Sequence, residues 1–316
     1  MTCDDAVGPA SIGLVETRDR AVGSVLGLAL GDALGAPFEF RRAADIPAPV
    51  PAFELPWMGR PPGATTDDTA MARNLVRSLI ANRGRLDTAD VLARHVAWLA
   101  TAPPDVGTLT RRVLCRAREG AADAAREYVE QRGPEVSAGN GSVMYCAPLG
   151  VAYASHPDDL LDAAPALSAI THWDERCRTD CLAVTLAVAA LVRGEEPRGA
   201  VLRAVGVVAG REGSEELELL VDTAGRTRPI DGPDQGFVHF TAGVALRTAA
   251  EAPTFEDGLR SVVSLGGDTD TNAAVAGALL GALHGRGGLP DEWCSKLVGR
   301  DELEAEATAL AAFATG

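Results

Sequence analysis

The chain has 316 residues, 47% of them hydrophobic and 23% charged, close to the average of soluble globular proteins, which sets aside disordered and fibrous classes. Its 44 acidic against 29 basic residues give a net charge of −15, so general affinity for nucleic acid or for anionic membranes is not expected. Aromatic residues are only 4% while glycines number 34, a mixture that suits close helix packing better than a sheet, and an all-α fold is expected.

Residues 1–15 carry no periodic pattern and read as a flexible tail, leaving residues 16–316 as one domain. An amphipathic helix begins at Thr17-Arg18-Asp19-Arg20 and ends near Gly35. The six prolines between Arg41 and Gly63 forbid a helix there and predict an irregular connector across the surface. From Thr69, the apolar positions Met71, Leu75, Val76, Leu79 and Ile80 share one helical face, and Val91, Leu92, Val96 and Leu99 do the same over Ala89–Ala100. The spans Cys181–Val192 and Ala273–Leu283 are nearly all Ala, Val and Leu and predict helices buried on most sides, neighbours in the core. Strand alternation is confined to Gly236–Phe240, too short to carry a sheet.

Cys3, Cys115, Cys146, Cys177, Cys181 and Cys294 are scattered, and no secretory signal is recognisable, so reduced thiols in the cytoplasm are expected. Cys177 and Cys181 are four apart, but two thiols do not make a zinc site. No uninterrupted apolar run of about 18 residues is free of Gly or charge, so no membrane span is expected.

Two acidic clusters each precede an apolar helix: Thr65-Thr66-Asp67-Asp68-Thr69 and Gly266-Gly267-Asp268-Thr269-Asp270-Thr271. Helix capping explains one oxygen in each, since Thr and Asp are preferred N-caps and acids favour the helix N-terminus. It leaves the other oxygens unexplained, whereas hard divalent cations take carboxylate and hydroxyl oxygens. Four Asp at one site repel one another unless cations of about equal total charge sit between them, as two divalent ions would. The second cluster is also similar to the Asp-x-Asp-x-Thr loop of haloacid dehalogenase-type phosphatases, but the hydrophobic strand that loop must follow is missing. An EF-hand would need further loop ligands and a terminal Glu.

These residues stand in a wider pattern. The run Leu26 to Phe40, Thr66-Asp67-Asp68-Thr69, Pro104-Asp105-Val106-Gly107, Gly139-Asn140-Gly141-Ser142-Val143-Met144, Ala147-Pro148-Leu149-Gly150, Thr171-His172, Gly236-Phe237-Val238 and Leu265 to Thr271 resemble, in order, the blocks of the ADP-ribosylglycohydrolase family. The resemblance implies a compact single-domain helical fold with a central cleft for two divalent metal ions, Mg²⁺ or Mn²⁺. It implies Thr66, Asp67 and Asp68 as one set of metal ligands and Asp268, Asp270 and Thr271 as the other. By the same resemblance Glu39 stands beside the metals, and Asp105 and Gly107 face the substrate ribose. Gly139, Asn140, Gly141 and Ser142, with Ser137 before them and Met144 after, match a loop over the diphosphate, and His172 and Phe237 match positions near the adenosine. Tyr145 and Trp173 depart from the family's usual residues. The activity implied is hydrolysis of the bond between ADP-ribose and its acceptor, with Glu39 or Asp105 handling a proton and Asp270 at the reacting centre. ADP-ribosyl-arginine on a protein leads. Serine-linked, O-acetyl or nucleobase-linked ADP-ribose are alternatives, as is a non-catalytic member of the fold; phosphate-ester hydrolysis is a third class. The partner is then an ADP-ribosylated protein or small ADP-ribosyl compound, and a monomer is expected.

Overall fold

The computed structural model describes residues 9–315 and is helical almost throughout. Helix α1 runs Pro9–Gly35, followed after the strand β1 (Arg41–Arg42) and the Pro-rich connector by α2 (Asp67–Ala81), α3 (Thr88–Leu99), α4 (Thr108–Arg118) and α5 (Ala124–Arg132). Helices α6 (Ala147–Ala152), α7 (Leu160–Ala169), α8 (Glu175–Val192), α9 (Pro197–Val208), α10 (Ser214–Thr223), α11 (Val238–Glu251) and α12 (Phe255–Val263) form the middle of the chain. Strand β2 (Gly266–Gly267) leads into α13 (Thr269–His284), and α14 (Asp291–Lys296) and α15 (Arg300–Ala311) close the fold.

Side-chain caps start several of these helices where the sequence places Asp, Thr or Glu. Asp87 accepts from the amides of Ala89 and Asp90, Asp174 from Arg176, Glu196 from Arg198 and Gly199, and Thr254 from Asp257. Helix α1 starts earlier than its pattern suggests. Its N-terminal turns lie outside the core, so Leu14 and Val15 remain 49% and 65% exposed and carry no apolar stripe that would mark a helix. The predicted tail thus divides: residues 9–15 are helical and residues 1–8 lie outside the described residues.

The centre of the molecule is the pair α1 and α13. Gly23, Gly27, Gly31 and Gly35 recur every four residues, which puts them on one face of α1. A Cβ at Gly27 would lie 2.1 Å from the Gly277 carbonyl oxygen, and one at Gly31 would lie 1.9 Å from that of Ala273. The two backbones therefore touch, and no larger residue fits between them. Helix α1 is long and apolar enough to cross a membrane by length and composition, but it is interrupted by glycines and Asp32, and 89% of its apolar window is buried inside the protein. A helix apolar on all sides here is one surrounded by other helices. Helix α8 also packs against α13, as expected, and α11 covers both.

The Pro-rich connector is irregular from Ile46 to Gly63, but its start is ordered: Arg41 and Arg42 pair antiparallel with Gly267 and Gly266. Both glycines have positive φ (70° and 77°), and a Cβ at Gly267 would meet the Ile230 carbonyl oxygen at 2.4 Å. A strand made of two glycines has no propensity signal, so the sequence does not show it. The expected extended segment at Gly236–Phe240 reduces to a single bridge, Phe237 with Gly139, before α11 begins at Val238.

Candidate active site

Two helix N-termini, those of α2 and α13, open into one cleft, and each delivers its acidic cluster there. Thr66 caps α2, accepting from the Asp68 amide at 3.2 Å, and its hydroxyl lies 3.2 Å from Asp68 Oδ2. Asp268 occupies the matching position on α13 but makes no cap bond; its Oδ2 instead accepts from Asn140 Nδ2 at 2.9 Å. Capping therefore accounts for Thr66 and not for Asp268. Thr271 Oγ1 donates to Asp68 Oδ2 at 3.5 Å, joining the two clusters.

The β1–β2 pairing and the close approach of α1 to α13 bring in two further acids. Glu39 stands two residues before the strand, and oxygens of Glu39, Asp268 and Asp270 all fall within 4.8 Å of one another. Asp32, fully buried on α1, accepts from the Thr66 amide at 3.0 Å, from the Thr69 amide at 3.1 Å and from the Thr69 hydroxyl. It clamps the turn that carries Asp67 and Asp68. The sequence offered one signal for it: a lone charge inside the apolar run Leu26–Ala36 must have a buried partner.

The cleft has a volume of about 530 Å³, and its lining includes Glu39, Asp67, Asp105, Asp268 and Asp270 with no Lys or Arg. Burial, and then the charge of Asp268, raises the Glu39 carboxyl to about 7. Burial raises Asp32 to about 6, against the lowering effect of its hydrogen bonds. Asp67 is pushed well above the usual carboxylate range by burial and by Asp105, Asp68 by burial and by Asp32, and Asp270 by burial and by Asp268. Asp105 is raised by burial and partly relieved by the positive charges of Arg60 and Arg111. Asp68 Oδ1, Asp105 Oδ2 and Asp270 Oδ1 are buried without a hydrogen-bond partner. Buried, mutually repelling and partly orphaned oxygens are a donor set for hard cations, which would relieve both penalties together.

The Gly-rich loop forms the opposite wall. Gly139, Asn140, Gly141 and Met144 line the cleft with His172, Gly107 and Thr271. A Cβ at Gly141 would lie 2.8 Å from the His172 ring, so glycine lets the loop lie on the imidazole. His172 is lowered to about 4 by burial and is neutral, its Nδ1 2.9 Å from Thr171 Oγ1. Asn140 is held at both ends, its amide donating to Gly236 at 3.0 Å and its Nδ2 to Thr241 Oγ1 at 3.1 Å.

Several expected contacts point elsewhere. Ser142 is fully buried with its hydroxyl 2.9 Å from Ser168 Oγ, and the Ser137 hydroxyl donates to the Gly133 carbonyl at 2.5 Å. Neither side chain reaches the cleft, because both anchor the loop from behind. Phe237 lies under the loop rather than in the cleft, edge-on to His239 and Phe240 at 5.0 and 5.5 Å. Thr66 and Asp68 sit behind Asp67 rather than on the cleft surface, buried to 3% and 1% exposure. The thiols of Cys177 and Cys181 also serve the loop, 3.2 Å from the Gly139 carbonyl and 3.5 Å from Ser142 Oγ. Tyr145 is buried with its hydroxyl 3.3 Å from Thr171 Oγ1, so it belongs to the support of His172.

The ADP-ribosylglycohydrolase family model matches residues 14–315. The chain is 35% identical over 285 residues to the ADP-ribosyl-[dinitrogen reductase] glycohydrolase of Rhodospirillum rubrum, covering 89% of this chain and 90% of that one. It is 30% identical to the ADP-ribosylhydrolase ARH3 of Bos taurus, covering 96% of each. It is 26% identical to the ADP-ribosylarginine hydrolase Tri1 of Serratia proteamaculans, covering 93% of this chain and 80% of that one. A solved structure described as an ADP-ribosylglycohydrolase-related protein complex superposes with a TM-score of 0.80 at 34% identity, covering 95% of this chain and 99% of its own. A helical fold that converges an acidic cleft and a glycine loop, matched in sequence and in structure along nearly its whole length, belongs to the ADP-ribosylglycohydrolase family, and the protein is a hydrolase of that class.

Proposed function

We propose that this enzyme releases ADP-ribose from arginine side chains of modified proteins and that a pair of divalent ions, Mg²⁺ or Mn²⁺, is required. The observation that carries the reading is the acidic face of the cleft: buried carboxylates with orphaned oxygens and no basic residue in the lining. Thr66, Asp67, Asp68, Asp268, Asp270 and Thr271 would hold the ions, with Glu39 beside them. A bound divalent pair acidifies water and neutralises charge that develops on the substrate oxygens.

The chain's own groups then divide the work. Glu39, with its proton affinity near neutrality, takes a proton from the attacking water and can return it. Asp105 presents an unpartnered Oδ2 and is the second carboxylate able to accept one, beside the ribose of the substrate. The amide of Gly141, which lines the cleft, has no backbone acceptor among the described residues and is free to meet a phosphate oxygen. His172, neutral and packed against the loop, lines the cleft and supports the wall that would face the adenosine end. Binding the diphosphate at a distance positions the anomeric carbon at the acidic wall, which is how remote contacts lower a barrier. The protein acceptor is supported by the name of the Rhodospirillum relative and the arginine linkage by that of the Serratia relative.

The test is release of free ADP-ribose from an arginine-ADP-ribosylated protein by wild type and by D268N/D270N, with Mg²⁺ or Mn²⁺ and after chelation. Metal-dependent release should fall by at least ~10³-fold in the double variant. Release that survives chelation would remove the metals from the mechanism. No release from arginine, with release from serine-linked, O-acetyl or nucleobase-linked ADP-ribose, would move the assignment to another acceptor.

A further inference from the structure

Away from the cleft, one groove gathers positive charge. A groove of about 390 Å³ between α4 and α5 has Arg111, Arg112, Arg116 and Arg132 on its lining against a single acid, Glu127. All four arginines are exposed. Arg116 is committed to Glu119 and Glu127 at 3.3 Å, whereas Arg111, Arg112 and Arg132 have no ion pair among the described residues. Three arginines without a carboxylate partner thus line one groove, in a chain with 44 acids to 29 bases.

Helix stability explains only part of this. Arg116 and Arg132 stand in the last turns of their helices, where positive charge favours the dipole. Arg111 stands in the first turn of α4 and Arg112 directly after it, where no acid is present and the dipole disfavours cations. The floor of the groove is apolar, built from Val113, Ala124 and Tyr128. Tyr128 lines both this groove and the catalytic cleft, so the two are neighbours.

We infer that the α4–α5 groove docks an acidic segment of the acceptor polypeptide, next to the modified side chain held in the cleft. The inference rests on the protein-substrate reading above and names the chemistry of that substrate: carboxylates for the arginine rim and an apolar side chain for the floor. A long polyanion fits less well, because every neighbouring face of a chain with charge −15 repels it. Rim charges of this kind act on encounter rate and on salt dependence.

The experiment uses peptides carrying one ADP-ribosyl-arginine flanked by Asp and Glu, by Gly and Ser, or by Lys, together with free ADP-ribosyl-arginine. At low salt the wild-type enzyme should turn over the acid-flanked peptide about tenfold better in kcat/KM than the Lys-flanked one, the difference shrinking as NaCl is added. R112E/R132E should abolish or invert that preference while leaving turnover of free ADP-ribosyl-arginine unchanged. Equal turnover of all three peptides by wild type would overturn the inference, as would a loss in R112E/R132E that falls equally on the free compound. Fluorescence anisotropy with the same peptides lacking ADP-ribose separates the groove from the linkage. Salt-sensitive binding of the acidic peptide that disappears in R112E/R132E upholds the groove even where arginine is not the acceptor, and equal binding of acidic and Lys-flanked peptides rejects it.

Discussion

Two regions of this enzyme face the same cleft and are built on opposite principles. The α1–α13 pair joins backbone to backbone through glycines and lies in the main hydrophobic core, and it carries Asp32, Asp268, Asp270 and Thr271. The α4–α5 arm rests on two small clusters of its own, one around Leu99, Val106 and Leu114 and one around Val113, Ala124 and Ala125. Carboxylates that repel one another must be held by a frame that cannot relax, and close-packed backbones provide it. A surface that meets a variable polypeptide needs no such frame. The rigid side thus serves chemistry and the peripheral side serves recognition.

The sharpest way to break the contrast is to add one methyl group on the rigid side. Gly31→Ala forces a Cβ to 1.9 Å from the Ala273 carbonyl oxygen and should destabilise the fold by ~3 kcal/mol or more, read by denaturant unfolding. Gly206→Ala on α9, where nothing lies within 4 Å of the added carbon, should instead be neutral or stabilising by up to ~1 kcal/mol. Equal effects at the two positions would refute the backbone contact.

Next in size is the clamp on the α2 turn. Asp32→Asn keeps the shape but turns one acceptor oxygen into a donor facing the donors of Thr66 and Thr69. We expect a loss of about 10- to 100-fold in metal affinity or activity with the fold retained. Unchanged activity would make Asp32 a purely structural residue.

The burial of these carboxyls has a pH signature. Glu39 and Asp32 have folded values of about 7 and about 6, raised above 4.5 and 3.8, so the fold favours their protonated forms. Their stabilising contribution is complete below the unfolded values and is lost as pH rises through 6 to 7. Chelated protein should therefore show a melting temperature falling by on the order of 5 °C between pH 5 and 7.5, with divalent ions restoring more at pH 7.5 than at pH 5. A melting temperature that rises over that interval would contradict the raised values.

The smallest effect belongs to the arm. Val113→Ala removes packing from a three-residue cluster and should cost only ~1 kcal/mol, leaving metal-dependent release of ADP-ribose from small substrates intact. Loss of that release would show that the arm supports the metal side.

Much of this was legible beforehand, for identifiable reasons. The acidic clusters were visible because three oxygen-bearing side chains in four residues exceed what a helix cap uses; α2 and α3 were visible from their apolar spacing, and α8 and α13 from nearly unbroken apolar runs. The family resemblance named the partners of those clusters. The β1–β2 pairing was hidden, since Gly266-Gly267 signals a turn and not a strand. The loop serines were misjudged for a related reason: Ser137 and Ser142 flank Gly139-Asn140-Gly141, but which way a hydroxyl turns depends on Gly133 and Ser168, which only folding brings close.

The sequence by itself determined the helical class, the clustering of acids at two helix starts and the glycine spacing that permits helices to touch, because each is a property of neighbouring residues. Tertiary structure alone decided that Glu39 meets Asp268 and Asp270, that Asp32 supports Thr66 and Thr69, and that unpaired arginines open onto a groove beside the cleft. Those juxtapositions join residues up to more than two hundred positions apart, and no local spacing encodes them. The meeting of Glu39 with Asp268 and Asp270 follows from the approach of α1 to α13, where the absence of a side chain sets the distance.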